Sequence, residues 1–189
     1  MQNRYDIFIS YRRKGGYETA KHLYDLLTRD GYSVSFDIDT LRNGDFDVSL
    51  LKRVEECTDF ILIVDAHAFD RCLNPHFERN KDWLRCELAH ALINNKNVVP
   101  ILLAGVESFP DGLPKDIADV SRKNGPKHTI YYFDSFYNKL KKDFLESEPS
   151  SSRFFVQPFE EEDSVFGMND WDEPTTKIGK ILKKLFKEK

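Results

Sequence analysis

Five consecutive apolar residues, Phe60-Ile61-Leu62-Ile63-Val64, offer no polar face to water. A run this short and this uniformly apolar reads as a strand buried on both sides, as in a parallel sheet covered by helices on both faces. Similar segments recur along the chain. Tyr5-Asp6-Ile7-Phe8-Ile9-Ser10 reads as a first strand, Val34-Ser35-Phe36 as a second and Val98-Val99-Pro100-Ile101-Leu102-Leu103 as a fourth, with a fifth expected at Thr129-Ile130-Tyr131-Tyr132-Phe133. Helical spacing fills the gaps: Ala20, Leu23, Tyr24 and Leu27 precede Gly31 at a C-cap position, residues 48–54 form a second helical pattern, and Leu84, Leu88 and Leu92 stripe a third from Trp83 to Asn94. Strands alternating with helices over roughly the first 145 residues predict an α/β fold with right-handed crossovers.

Composition narrows the function. With 28 basic and 32 acidic residues the 189-residue chain carries a formal charge of −4 and no basic block, which argues against nucleic acid or an anionic membrane as partner. The three cysteines, Cys57, Cys72 and Cys86, form no CxxC and leave one thiol over if paired, so a reducing, cytoplasmic setting is expected. No stretch reaches the roughly 18 apolar residues of a membrane span, and the polar start Met1 to Asp6 does not suit a signal peptide.

The character of the chain changes near its C-terminal end. Glu146 to Ser152 is rich in serine and acid, Glu160-Glu161-Glu162-Asp163 is a charge run, and Ile178, Ile181, Leu182, Leu185 and Phe186 stripe a basic helix over about residues 175–187. Two parts are therefore expected: a domain over 1–147, and an acidic linker with a terminal amphipathic helix over 148–189, docked on that domain.

In an open parallel sheet, ligands bind beyond the carboxyl ends of the strands. That rule gathers Ser10-Tyr11-Arg12-Arg13, Phe36-Asp37, Asp65 and the start of the Trp83 helix at one edge. Trp83 and Glu87 stand one helical turn apart, an indole and a carboxylate on one face. A carboxylate against an aromatic surface is partly desolvated and open to tuning, and paired arginines suit phosphate or serve in surface ion pairs. Competing chemistries lack their signatures. There is no GxGxxG or GxxxxGK[ST], and Arg12 and Arg13 stand where a phosphoacceptor domain needs an acidic pair. Asp37, Asp39 and Asp45 miss the calcium-loop spacing, and the histidines at 22, 67, 76, 90 and 128 form no HExxH, so no metal is expected. Cys86 reads as a packed mid-helix thiol rather than a nucleophile.

Taken together these segments resemble the Toll/interleukin-1 receptor (TIR) domains over about residues 4–145. Tyr5 to Arg13 resembles the family's first box, Val34 to Phe36 with Leu41-Arg42-Asn43-Gly44-Asp45 its second strand and BB loop, and Lys81-Asp82-Trp83 through Glu87 its glutamate-bearing helix. Many members place cysteine directly after the tryptophan, whereas here Leu84 follows Trp83 and the cysteine is Cys86. The resemblance implies a flavodoxin-like sheet of order 2-1-3-4-5. It is nearest to the NAD-cleaving branch and its bacterial antiphage-defence members, and implies an NAD+ glycohydrolase or cyclase that releases nicotinamide and makes ADP-ribose, a cyclic isomer or a conjugate as an immune signal. On that reading Glu87 is the catalytic acid/base or ribose-binding carboxylate, Trp83 an aromatic wall, and Arg12 and Arg13 ligands for phosphate or ribose. Tyr11, Phe36 and Asp37 complete the substrate set, and Gly44 lets the BB loop open. NAD+ is then substrate, with no further cofactor; the implied partners are other TIR surfaces and a downstream nucleotide-sensing effector. The alternative is a scaffold that binds other TIR domains without catalysis. A secreted effector would need an export segment, and none is recognisable.

Overall fold

The structure is a computed structural model, and it describes residues 4–36 and 48–150. The chain divides into two units, Met1–Phe154 and Phe155–Lys189. The second unit, and with it the expected terminal helix, lies outside the described residues, as do Asp37 and Gly44.

Four parallel strands form the sheet: β1 (Ile7–Ser10), β2 (Val34–Phe36), β3 (Asp59–Val64) and β4 (Asn97–Leu102), in the order β2-β1-β3-β4. The alternating α/β pattern is thus realised, in the order expected for the first four strands. Central β1 is in register with Val34 of β2 and Asp59 of β3 at Ile7, and Leu62 of β3 lies beside Pro100 of β4. The helices are α1 (Arg13–Arg29), α2 (Val48–Glu55), the short α3 (Asp70–Leu73), α4 (Trp83–Ile93) and α5 (Phe133–Lys139).

Side-chain alternation assigns the two faces. Ile7, Ile9, Ile61, Ile63, Val99 and Ile101 pack with Ala20, Leu23 and Leu27 of α1 and with Phe136 and Tyr137 of α5. The intervening residues, with Phe8 and Phe60 stacked at 5.5 Å, look the other way, where α4 packs on β1, β4 and α2. The α1 boundary follows its glycines. Gly15, at φ +98, breaks the first turn, so regular helix begins where the apolar spacing does. Gly31, at φ +93, closes the far end, with Tyr32 N–H donating to the Leu27 carbonyl at 3.0 Å.

The expected fifth strand does not form. Residues 129–132 are an irregular stretch with a bend and a turn that runs into α5 at Phe133, with Ile130, Tyr131 and Tyr132 73–94% exposed. The neighbouring stretch supplies the reason. Pro100 withholds an N–H donor from β4, as tolerated on an edge strand, and the backbone at Gly125 presses so close to the Pro100 carbonyl that any Cβ there would collide with it. An irregular segment thereby takes the place a strand would need. The serine-rich stretch after α5 is not loose through Ser150: the buried Asp59 carboxylate accepts from the N–H groups of Glu146 and Ser147, and Asp6 accepts from the Ser150 hydroxyl at 2.8 Å.

Candidate active site

Helix α4 starts on a buried cap. Asp82 is 1% exposed, and its carboxylate accepts a long hydrogen bond of 3.4 Å from the Arg85 N–H while its own carbonyl receives the Cys86 N–H at 2.9 Å. The same carboxylate pairs with the Arg12 guanidinium at 2.7 Å, and Arg12 Nε donates to the Ala68 carbonyl at 2.8 Å. One ion pair therefore joins the end of β1 to the start of α4. A second clamp lies further out, where Asp116 accepts two hydrogen bonds from Arg85, at 3.1 and 2.8 Å, and one ion pair from Arg79.

With the helix fixed at its start, Glu87 lies one turn in and faces the sheet, 8% exposed. The hydroxyl of Ser10, the last residue of β1, donates to Glu87 Oε2 at 2.6 Å. Glu87 borders a cleft of about 570 Å³, within the roughly 300–1,000 Å³ typical of small-ligand pockets, and Ser10 holds it from behind the lining. Trp83 and Glu87 line one side; Tyr11, Arg12, Arg13 and Lys14 line another; His67, Asp70 and Arg71, from the connection after β3, complete the rim. A larger hollow of about 720 Å³ lies by Tyr32 and Lys141, but it sits at the amino ends of the strands and its Lys141 is tied to Asp30. Convergent carboxylate, indole and cations mark the smaller cleft as the candidate site.

Of the residues singled out in the sequence, Tyr11, Arg12, Arg13, Trp83 and Glu87 meet at this cleft. Phe36 stands behind it, stacked on Tyr11 at 5.2 Å and on Tyr24 at 5.1 Å, so it buttresses the Tyr11 wall. Arg12 is drawn inward by Asp82. Lys14, His67, Asp70 and Arg71 join them at the cleft, and no sequence spacing marks them as ligands. Ser10 was within reach of the rule on carboxyl strand ends, whereas Arg71 depends on the path of a loop that sequence spacing does not describe.

Charge at the site is divided by position. Cations crowd the β1–α1 turn and the α3 region, whereas the Glu87 carboxylate lies deep against α4. Asp65, 8% exposed, supports that turn from beneath: its Oδ1 accepts the His67 N–H at 2.8 Å, and a side chain at Gly15 would run into its carboxyl carbon, 2.9 Å from a Cβ. Cys57, Cys72 and Cys86 are free and buried, and burial pushes each thiol up to about 12, with the Asp82 charge adding to the effect on Cys72 and Cys86. The reading of Cys86 as a packed thiol holds. Among the described residues no cluster of His, Cys, Asp and Glu is arranged to hold a metal, and no helix is long and apolar enough to cross a membrane.

The fold defines an open, parallel α/β domain with its cleft at the carboxyl edge of the sheet. Residues 7–142 match the family model for the TIR domain, and the chain belongs to that family. Over 148 residues it is 35% identical to "NAD(+) hydrolase SARM1" of Danio rerio, covering 78% of this chain and 20% of that protein. It is 37% identical over 143 residues to "NAD(+) hydrolase tir-1" of Caenorhabditis elegans, covering 74% and 14%, and 34% identical over 155 residues to "NAD(+) hydrolase sarm1" of Drosophila melanogaster, covering 81% and 11%. The chain thus spans one fifth or less of the length of these relatives.

Proposed function

We propose that this TIR domain cleaves the bond between nicotinamide and ribose in NAD+. The observation that carries the reading is the Glu87 carboxylate, buried beside Trp83 in a dinucleotide-sized cleft whose rim is cationic. The names of three relatives at 34–37% identity support the same chemistry.

The reaction suits those groups. As the C1′–N bond breaks, its electron pair leaves with nicotinamide, which departs neutral and needs no general acid, and the ribosyl carbon takes on oxocarbenium character. A fixed carboxylate stabilises that developing charge and accepts a proton from the incoming nucleophile, water or a group within the same dinucleotide. The indole face suits the flat cationic ring of the substrate, and Arg13 and Lys14 at the rim suit its pyrophosphate. Arg12, held by Asp82, acts on this account chiefly by fixing the wall.

Incubation of the purified protein with NAD+, with nicotinamide followed by chromatography, tests the reading, with Glu87→Ala as control. Release by the wild type and none by the variant is expected; equal release by both would defeat the assignment of Glu87. Mass spectrometry of the same reaction identifies the product as ADP-ribose, a cyclic isomer or a conjugate. We assign that product a signalling role in cytoplasmic antiphage defence, sensed by a separate nucleotide-binding effector. Self-association through TIR surfaces belongs to the same reading and is supported by the exposed run Ile130-Tyr131-Tyr132. Loss of phage resistance in cells carrying Glu87→Ala is the expected biological counterpart, and unchanged resistance would overturn the defence role.

A further inference from the structure

We infer that Ser10 is the positioning residue for Glu87, holding the carboxylate in one orientation and in its charged form. The inference rests on the hydrolase reading for its catalytic meaning, but the interaction itself stands on geometry.

Ser10 ends the central strand β1, paired on both sides, and is 1% exposed. It follows Ile7, Phe8 and Ile9, all buried, and shares with Phe8 the sheet face towards α4. Packing alone would favour an apolar residue there, since a buried hydroxyl is costly unless it finds a partner. Its partner is Glu87 Oε2 at 2.6 Å, 77 residues away in sequence. That length lies within the range of roughly 2.5–2.7 Å for a hydroxyl donating to an ionised carboxylate. Donation of this kind favours the anion, which is the form needed both to face a ribosyl cation and to accept a proton. It also takes up one carboxylate oxygen and so sets the plane of the group. A strand fixed by two neighbours gives this anchor a rigidity that a loop residue would lack.

Two variants separate positioning from folding. Ser10→Ala removes only the hydroxyl; Ser10→Thr keeps it. The other charged groups around the cleft, Arg12, Arg13, Lys14, His67, Asp70 and Arg71, are the same in all three proteins, so differences between them isolate the hydroxyl. We expect Ser10→Ala to remain folded but to unfold at somewhat lower urea than wild type, since a buried carboxylate loses its donor, to lose about tenfold in kcat for nicotinamide release with KM for NAD+ changed less than about threefold, and to show the acid limb of its pH–rate profile at higher pH. Ser10→Thr should recover most of the rate. A readout independent of turnover is the 13C shift of the Glu87 carboxyl carbon, assigned with Glu87→Gln, which should titrate at higher pH in Ser10→Ala than in wild type. An alanine variant with wild-type carbon titration, or with wild-type kcat and pH profile, overturns the inference. A shifted carbon titration in proteins that all leave NAD+ intact would sink the hydrolase reading and leave the hold of Ser10 on Glu87 established.

Discussion

At the scale of single residues, Asp82 does more for the domain than its place in sequence suggests. It caps α4, receives Arg12 and lies 3.2 Å from the Cys72 thiol, and neither member of its ion pair is well exposed, at 1% and 13%. Removing one partner of such a pair leaves a buried charge without compensation. Asp82→Ala should therefore lower stability by about 3–5 kcal/mol in urea titration, and adding Arg12→Met should return a good part of that loss. An alanine variant as stable as wild type would show the pair to be inconsequential. The thiols give a second residue-level expectation. Only the thiolate is nucleophilic, and burial holds all three cysteines far from it. Iodoacetamide at pH 8 should leave the folded protein unmodified over a period in which the urea-unfolded chain takes up three labels, and rapid native labelling would contradict their burial. The indole and carboxylate at Trp83 and Glu87 were legible in the sequence because they lie one helical turn apart. Their fixing partner Ser10 was not, because no local spacing brings residues 10 and 87 together.

At the scale of elements, α4 is held from behind as well as at its start. His90, three residues beyond Glu87 and 2% exposed, faces Glu55 of α2, with Nε2 3.3 Å from Oε1, while Lys96 spans to the carbonyls of Glu55 and Cys57. Burial lowers the pKa of His90 below the ordinary 6.5, against the opposing pull of Glu55 and with the Lys96 charge adding to the lowering. His128 is shifted the same way, first by burial and then by His22. A base depressed in the folded state binds fewer protons there than in the unfolded chain. Stability is then full above pH 6.5 and falls as the pH drops from that value towards the folded pKa. Urea midpoints measured from pH 8 to pH 5 should decline through this window, and His90→Leu should flatten the slope. A variant with the wild-type slope would place the titration elsewhere. Strand and helix order were readable from apolar runs and spacing. The failed strand at 129–133 was not, because its β-rich composition says nothing of the Gly125 backbone lying against Pro100.

At the scale of the whole molecule, a net charge of −4 coexists with a cationic rim at one edge of the sheet. Global composition argued against polyanionic partners, and it could not show that Arg13, Lys14 and Arg71 converge. What the fold contributes is the meeting of that rim with a buried carboxylate from an element that reaches the cleft from the far side of the sheet order. Fold class and the broad position of the site were therefore legible from pattern and the strand-end rule, whereas the shape of the cleft needed three-dimensional packing. The central claim is that Glu87 performs the cleavage, and its most direct test is kcat for nicotinamide release by the wild type beside the isosteric Glu87→Gln, both shown to be folded by urea titration. The account predicts a loss of about 100-fold or more; a glutamine variant within about threefold of wild type would contradict it.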